Sequence, residues 1–251
     1  MKVKITPSKP IGKVTAPPSK SMAHRALICA ALTEGCVVEN LAFSNDIKAT
    51  LDCLIKLGTT VNLNGNRAEL CKLNPFEIKE ETELFCDESG STLRFLIPLC
   101  LLSEKKVKLK GSTRLFERPL GIYEDICKEQ NLLFDKDETS LTVCGKLKSG
   151  NFKIKGDVSS QFITGLLFAL PLLDGISIIE IIGKFESESY VKMTLSILKE
   201  FGIKIVYIDN RFIIYGNQKY QKNEYTVEGD CSNAAFLEAL NFIGGEVEIE
   251  G

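Results

Sequence analysis

The chain has few of the residues from which metal, redox and disulfide sites are built. Its 251 residues include one histidine and no tryptophan, and its nine cysteines are scattered without a CxxC pair. Zinc sites need closely spaced thiolates or imidazoles, so we predict no metal site. Most of the cysteines stand in apolar runs, where we expect them to be small core residues of a reduced, cytoplasmic protein.

The chain also lacks the charge and hydropathy patterns of nucleic-acid and membrane proteins. Its net charge is −2, so no overall basic field would attract nucleic acid. The longest apolar stretch, 162–173, contains Gly165 and Pro171 and is too short to span a bilayer. The N-terminus leads straight into a strand-like run over 2–5, unlike a signal peptide. Any anion site must therefore be a local concentration of lysine and arginine.

What the chain does have is a long repeat. Ser19, Ser89 and Ser159 are each 70 residues apart, and each precedes an apolar run of helical length. Serine at such a place predicts a helix start, because its hydroxyl can accept from the free N–H groups of the first turn. Helix N-termini also bind anions. With Lys20 and Arg25 close by, the pattern predicts a pocket for a multiply charged small anion.

The repeat extends beyond the serines. Each apolar helix is followed by a strand, a second helix and a hairpin whose turn falls at 64–66, 135–137 or 209–210. A leading strand is also expected before each first helix. We therefore predict three β-α-β-α-β-β units that close into one α+β domain over 19–228, with helices buried and sheets outside. A fourth unit begins at Tyr225, so 1–18 and 229–251 are expected to belong to a second, incomplete domain.

Five segments in this order carry a resemblance to a known family. They are PPSKSMAHRALICAALTEG, ESGSTLRFLIP, ERPLG, GDVSSQFITGLLFALPLL and VEGDCSNAAF. Together they resemble the 5-enolpyruvylshikimate-3-phosphate (EPSP) synthase family, over the whole chain but only the N-terminal portion of the family's length. The resemblance implies the α/β prism, in which each of two domains has three β-α-β-α-β-β units and pseudo-threefold symmetry around buried parallel helices.

The resemblance also implies an activity. Members of the family transfer the enolpyruvyl group of phosphoenolpyruvate to the 5-hydroxyl of shikimate 3-phosphate, in the shikimate pathway to chorismate and aromatic amino acids, and are the target of glyphosate. No cofactor is expected, and the full-length enzyme is expected to be a cytoplasmic monomer. The family's acid–base carboxylates lie in its C-terminal half. The chain alone is therefore expected to hold most of the shikimate 3-phosphate pocket and to be inactive.

Site residues follow from the resemblance, position by position. Lys20 matches a catalytic lysine that lies between the two substrates. The residues that match shikimate 3-phosphate binders are Lys20, Ser21, Arg25, Ser159, Ser160, Gln161 and Ser187. Those that match the phosphoenolpyruvate side are Lys20, Gly90, Arg118 and Gln161.

Other polar residues in these motifs are expected to have structural roles. His24 is expected to pack or cap near the hinge, and Arg94 to bond neighbouring loops. Glu88 stands where many relatives carry asparagine, and we expect it to point to a neighbouring lysine or arginine. Asp230 is expected to cap the helix that follows it.

Two related families fit less well, and one rival class stays open. UDP-N-acetylglucosamine enolpyruvyl transferases share the architecture but lack the SKSxxxR and SSQF pair and use a reactive loop cysteine. RNA 3′-phosphate cyclases share the repeat unit but need a nucleotide site. The rival is a non-catalytic domain of the same fold that binds small anions or has a regulatory role.

Overall fold

The computed structural model describes residues 3, 4, 6, 8–79 and 81–251. The strand predicted over 2–5 falls partly outside the described residues, which omit Lys2 and Ile5, while Val3 and Lys4 have no regular secondary structure. The first regular element is strand β1 (Ile11–Thr15). Among the described residues, no helix has the length and apolar character needed to cross a membrane.

Three repeats follow β1. The first contains α1 (Lys20–Ala31), β2 (Cys36–Glu39), α2 (Asn45–Leu57), β3 (Thr60–Asn64) and β4 (Arg67–Cys71). The second contains β5 (Thr82–Phe85), α3 (Gly90–Cys100), β6 (Val107–Lys110), α4 (Thr113–Phe116), α5 (Gly121–Glu129), β7 (Leu133–Lys136) and β8 (Ser140–Cys144). The third contains β9 (Asn151–Lys155), α6 (Ser160–Ala169), a 3₁₀ turn (Leu170–Leu172), β10 (Ile176–Ile182), α7 (Glu188–Glu200), β11 (Ile205–Ile208) and β12 (Arg211–Tyr215). The chain continues through β13 (Glu224–Thr226), α8 (Cys231–Phe242) and β14 (Glu246–Glu250).

The three repeats build three sheets of one topology. The strand orders are β13-β2-β4-β3, β5-β6-β8-β7 and β9-β10-β12-β11. In each sheet the first two strands are parallel and the other pairs are antiparallel. The repeat predicted from the sequence is thus confirmed at the level of the sheets.

The leading strand of the first sheet is where the prediction is wrong. The sequence pattern predicts a strand immediately before each first helix and assigns Tyr225 to the start of a fourth unit. In the structure, β13 pairs with β2 and occupies the place that β5 and β9 occupy in the other sheets. The strand before α1 is β1, which pairs in parallel with β14 instead. The paired residues of β13 and β2 are almost 190 positions apart in the chain, so no local sequence pattern could predict this pairing.

The first helix of each repeat lies inside the domain. Ten residues of α1, ten of α3 and nine of α6 are buried. From Phe162 onward, helix α6 has Thr164 as its one polar side chain, which suits a helix surrounded by other elements. Gly165 allows α6 to approach α3 closely, because a Cβ there would lie 2.5 Å from the carbonyl oxygen of Arg94. Buried helices with sheets outside are the predicted arrangement.

The segment after β13 differs from the repeats in its burial. Helix α8 has no buried residue, and Phe236, Phe242 and Ile243 are exposed. Asp230 caps α8 as predicted, because its Oδ1 accepts from the backbone N–H groups of Ser232 and Asn233 at 2.9 and 3.2 Å. The assignment of 1–18 and 229–251 to a second domain stays a prediction.

Candidate functional site

The three repeated serines start the three buried helices. The hydroxyls of Ser19, Ser89 and Ser159 accept from a first-turn N–H of α1, α3 and α6 at 3.4, 3.2 and 3.3 Å. The predicted helix starts are therefore confirmed. Each cap satisfies one free N–H and leaves others of the first turn for a ligand.

Two guanidinium groups and one amide converge on the backbone of Gly90. A Cβ built at Gly90 would lie 2.9 Å from Nη1 of Arg118, 3.0 Å from Nη1 of Arg94 and 3.4 Å from Oε1 of Gln161. The structure thus brings together Gly90, Arg118 and Gln161, which the resemblance assigns to phosphoenolpyruvate. We call these three residues and Arg94 the Gly90 corner. Glycine is needed here because any side chain would displace these groups.

Arg94 holds the Gly90 corner together. Its Nη1 donates to Oε1 of Gln161 at 2.8 Å, and its Nη2 donates to the carbonyl oxygen of Pro119 at 3.0 Å. The guanidinium carbon lies 5.2 Å from the ring centroid of Phe162. Nε of Arg94 is buried and has no hydrogen-bond partner among the described residues. The predicted bond from Arg94 to a neighbouring loop is confirmed, and its bond to Gln161 was not predicted.

The Gly90 corner carries uncompensated positive charge. Within 8–79 and 81–251, no carboxylate forms an ion pair with Arg94 or Arg118. Burial lowers the pKa of Arg94, and the nearby charge of Arg118 lowers it further. Glu88 is exposed and forms no ion pair with any described residue, so its predicted contact is absent. A bound anion is the natural complement to two such guanidinium groups.

Lys20 forms an ion pair at the start of α1. Its Nζ lies 2.7 Å from Oδ2 of Asp46, in the first turn of α2, and 55% of the Lys20 side chain is exposed. Sequence reasoning did not select Asp46, although an acidic residue just after Ser44 and Asn45 is a common helix-start signal. An exposed pair of this kind contributes only about 0–1 kcal/mol, so Lys20 can exchange Asp46 for a ligand at little cost.

Arg25 is buried, and protein groups take up part of its hydrogen-bonding capacity. Its Nε donates to the hydroxyl of Thr194 at 2.8 Å, while Nη1 and Nη2 donate to the carbonyl oxygens of Ser21 and Tyr190 at 2.6 and 3.2 Å. Burial lowers its pKa to about 10. A guanidinium has five N–H groups, so two remain for a ligand. The burial of Arg25 had no signal in the sequence.

A chain of buried hydroxyls connects the first two repeats. Nδ1 of His24 lies 2.8 Å from Oγ1 of Thr50, which lies 2.7 Å from Oγ1 of Thr92. The Thr92 hydroxyl donates to Oγ of Ser89 at 2.7 Å. Burial lowers the pKa of His24 to about 3, although the charge of Asp46 acts in the opposite direction. His24 is therefore neutral at pH 7, in agreement with its predicted packing role.

The third repeat places its serines at the starts of α6 and α7. Ser159 is exposed, Ser160 is buried, and the hydroxyl of Ser187 donates to the carbonyl oxygen of Val158 at 3.3 Å. Ser187 makes no side-chain capping bond to α7, so its hydroxyl holds the two helix starts together instead.

Contacts between the repeats place several helix starts at one end of the domain. Arg25 of α1 reaches Tyr190 at the start of α7, and Ser187 reaches the residue before Ser159. Nε2 of Gln161 donates to Oγ of Ser91 at 3.0 Å, which joins the starts of α6 and α3. That all predicted binding residues line one concave surface stays a prediction.

Comparisons with known proteins agree with this architecture. A family model described as EPSP synthase (3-phosphoshikimate 1-carboxyvinyltransferase) matches residues 5–251. The 3-phosphoshikimate 1-carboxyvinyltransferase of Clostridium perfringens (strain SM101 / Type A) is 44% identical over 250 residues, which cover 98% of this chain and 59% of that protein. The same-named protein of Clostridium kluyveri is 44% identical over 253 residues, 99% of this chain and 59% of its own length. The chain thus spans about 59% of the length of these relatives.

A solved structure supports the fold independently. An EPSP synthase from Acinetobacter baumannii superposes with a TM-score of 0.78 at 20% sequence identity and covers 92% of this chain and 53% of that one. The match of the family model to nearly the whole chain, together with relatives that are 44% identical, leads to one conclusion. The chain belongs to the EPSP synthase family.

Proposed function

We propose that this chain is the N-terminal portion of an enolpyruvyl transferase that uses phosphoenolpyruvate and shikimate 3-phosphate. The observation that carries the proposal is the Gly90 corner, where Arg94, Arg118 and Gln161 meet and no carboxylate of the described residues pairs with either arginine. An enzyme that binds two anions side by side needs such a concentration of cations and N–H donors.

The Gly90 corner is the proposed phosphoenolpyruvate side. The Arg118 guanidinium would bind a phosphate or carboxylate oxygen, and Gly90 would let that oxygen approach the backbone at the start of α3. Lys20 would leave Asp46 and place its charge between the two substrates. Gln161 lies at the border of this corner and the start of α6, where it can reach both ligands.

The starts of α6 and α7, together with α1, form the proposed shikimate 3-phosphate side. The phosphate would sit at the start of α6, where Ser159, Ser160 and the free N–H groups can donate to it. Ser187 would add its hydroxyl. Ser21 and the two remaining N–H groups of Arg25 would bind the shikimate part, a guanidinium being suited to its carboxylate.

The proposed reaction needs groups beyond this chain. C3 of the enol is protonated and the 5-hydroxyl adds to C2 as its proton passes to a base. Phosphate then leaves the tetrahedral intermediate while C3 loses a proton, which restores the enol double bond. Lys20 can stabilise the charge that develops between the substrates, whereas the acid–base carboxylates would come from the remaining part of the protein. The chain would therefore bind shikimate 3-phosphate and turn nothing over. As a whole, the enzyme would be a cytoplasmic monomer without a cofactor, and the net charge of −2 supports small molecules and not nucleic acid as its partners.

Calorimetric titration of this chain with shikimate 3-phosphate tests the proposal. Ser187→Ala should weaken binding by about 10-fold or more, since a hydrogen bond to a charged group contributes ~1.5–3 kcal/mol. Ser232→Ala, at an exposed position of α8, is the matched control and should bind as the wild type does. Absence of binding by the wild type, or enolpyruvyl product formed by this chain alone, would contradict the proposal.

A further inference from the structure

The Gln161 side chain is held in a defined orientation by two neighbours. Its Oε1 accepts from Nη1 of Arg94 at 2.8 Å, and its Nε2 donates to Oγ of Ser91 at 3.0 Å. A side-chain amide can rotate by half a turn, which exchanges its acceptor and its donor. Ser91 accommodates either orientation, because a hydroxyl can donate or accept. Arg94 does not, because a guanidinium has donors only.

Arg94 is itself fixed in place. It is 5% exposed, its Nη2 donates to the carbonyl oxygen of Pro119 at 3.0 Å, and its guanidinium lies over the ring of Phe162. The contact with Pro119 also ties it to the residue that follows Arg118. Arg94 therefore acts as an immobile donor that only one orientation of the Gln161 amide can satisfy.

The fixed orientation decides what Gln161 can offer a ligand. Nε2 carries two N–H groups, of which Ser91 takes one, so one N–H remains. If the amide were reversed, a carbonyl oxygen would face anionic substrates and repel them. We propose that Arg94 is a positioning residue for the reaction given under Proposed function: it fixes the Gln161 amide so that the substrates meet an N–H donor. This inference rests on the proposed function.

Gln161→Glu removes the N–H donors of residue 161 and keeps the shape of its side chain. A glutamate there keeps the acceptor for Arg94, and the Ser91 hydroxyl can donate to it, so the fold should be retained. The remaining N–H is lost and a negative charge is added, and we expect the affinity of this chain for shikimate 3-phosphate to fall at least about tenfold. A melting temperature at or above that of the wild type, combined with this loss, is the expected result. Unchanged affinity would show that the substrates do not use the N–H.

A double-mutant cycle tests whether Arg94 acts through Gln161. Arg94→Gln removes the fixed donor, because a glutamine at 94 can donate or accept. Arg94→Lys keeps the charge, and it replaces Arg94→Gln in the cycle if that variant folds poorly. The affinity for shikimate 3-phosphate should fall in Arg94→Gln, yet the same change should cost little further affinity in a Gln161→Ala background. Additive losses would assign Arg94 a merely structural role and overturn the inference. Arg211→Gln, at an exposed arginine, is the control.

A readout without ligand distinguishes the inference from the proposed function. In the free chain, the side-chain amide signals of Gln161 in a ¹⁵N–¹H spectrum should be shifted and protected from exchange in the wild type. They should move toward ordinary glutamine values in Arg94→Gln and remain in Arg211→Gln. Unchanged signals in Arg94→Gln overturn the role of Arg94, whatever the chain binds. A protected amide in a wild type that does not bind shikimate 3-phosphate instead counts against the proposed function.

Discussion

Arg25 and Arg94 are two buried arginines in first helices of the repeats, and they differ in how far protein groups use their donors. Each guanidinium lies over a phenylalanine ring, Phe95 for Arg25 at 5.3 Å and Phe162 for Arg94 at 5.2 Å. Neither forms an ion pair with a carboxylate in the part of the chain that the structure describes. All three nitrogens of Arg25 donate to protein groups, whereas Nε of Arg94 has no partner there.

Arg94 also differs from Arg25 in having a second guanidinium, that of Arg118, beside it. Burial is the main cause of the lowered pKa of both arginines, and for Arg94 the nearby charge of Arg118 lowers the pKa further. All three nitrogens of Arg25 therefore already donate to protein groups, whereas Arg94 lies beside a second guanidinium and has one nitrogen without a partner among the described residues. The comparison shows that two arginines of similar burial can differ in how many of their donors protein groups use and in the charge of their neighbours.

Removal of Arg25 should have the largest effect on stability. Arg25→Met removes three hydrogen bonds of a buried charged group, those to the Thr194 hydroxyl and to the carbonyl oxygens of Ser21 and Tyr190. We expect a loss of about 3 kcal/mol or more, since a hydrogen bond to a charged group contributes ~1.5–3 kcal/mol. Arg94→Met should cost less, because it also removes the repulsion from Arg118. Urea unfolding of both variants measures the difference, and equal losses would remove the distinction between the two arginines.

A methyl group at Gly90 should affect binding more than stability. Gly90→Ala puts a Cβ 2.9 Å from Nη1 of Arg118 and 3.0 Å from Nη1 of Arg94, so both guanidinium groups must shift. Overpacking costs roughly 1–3 kcal/mol, which would weaken phosphoenolpyruvate binding by the complete enzyme about 5- to 150-fold. Gly121→Ala, whose Cβ meets nothing within 4 Å, is the control. Wild-type affinity in Gly90→Ala would mean that the corner does not bind this substrate.

The pH dependence of stability should report on His24. His24 occupies in the first repeat the position that Arg94 occupies in the second, 70 residues later. Its pKa is about 3 in the folded chain against an ordinary value of 6.5, so the unfolded chain binds a proton between these values and the folded chain does not. The contribution of His24 to the free energy of unfolding is constant above pH 6.5. As the pH falls toward 3, protonation of His24 in the unfolded chain lowers the free energy of unfolding by up to ~1.4 kcal/mol per pH unit. Urea unfolding at pH 7.5, 6.5 and 5.5 should show the fall, and His24→Gln should flatten it. The same slope in both proteins would contradict the neutral state of His24.

The smallest effect is expected at Lys20, whose charge is compensated and exposed. Asp46→Asn breaks its ion pair, and we expect stability to change by no more than about 1 kcal/mol. The change should shrink further in 1 M salt, where exposed charges are screened. Thermal melts of Asp46→Asn and the wild type at low and high salt measure this difference in stability. A loss as large as that of Arg25→Met would show that Lys20 is part of the core and is not free to reach a ligand.

Local signals in the sequence predicted the repeats and several site residues. Serine before an apolar run predicted three helix starts, because capping depends on residues a few positions apart. The SGS and SSQ segments and Arg118 were identified by resemblance, and the structure brings Gly90, Gln161 and Arg118 together. Asp46 was missed because it meets Lys20 only after α1 and α2 pack. The burial of Arg25 and the bond from Arg94 to Gln161 also depend on tertiary packing, which no short motif encodes.

The pairing of β13 with β2 has a consequence for the order of events during synthesis. Strand β2 leaves the ribosome early, but its parallel partner, 224–226, is made only after all three repeats. Until then one edge of the first sheet presents unpaired N–H and C=O groups that another chain could bind. The second and third sheets have no such delay, because β5 and β9 are the first strands of their own repeats. The N-terminal repeat is therefore the last to be completed, and its nascent form is the one that most needs protection from association.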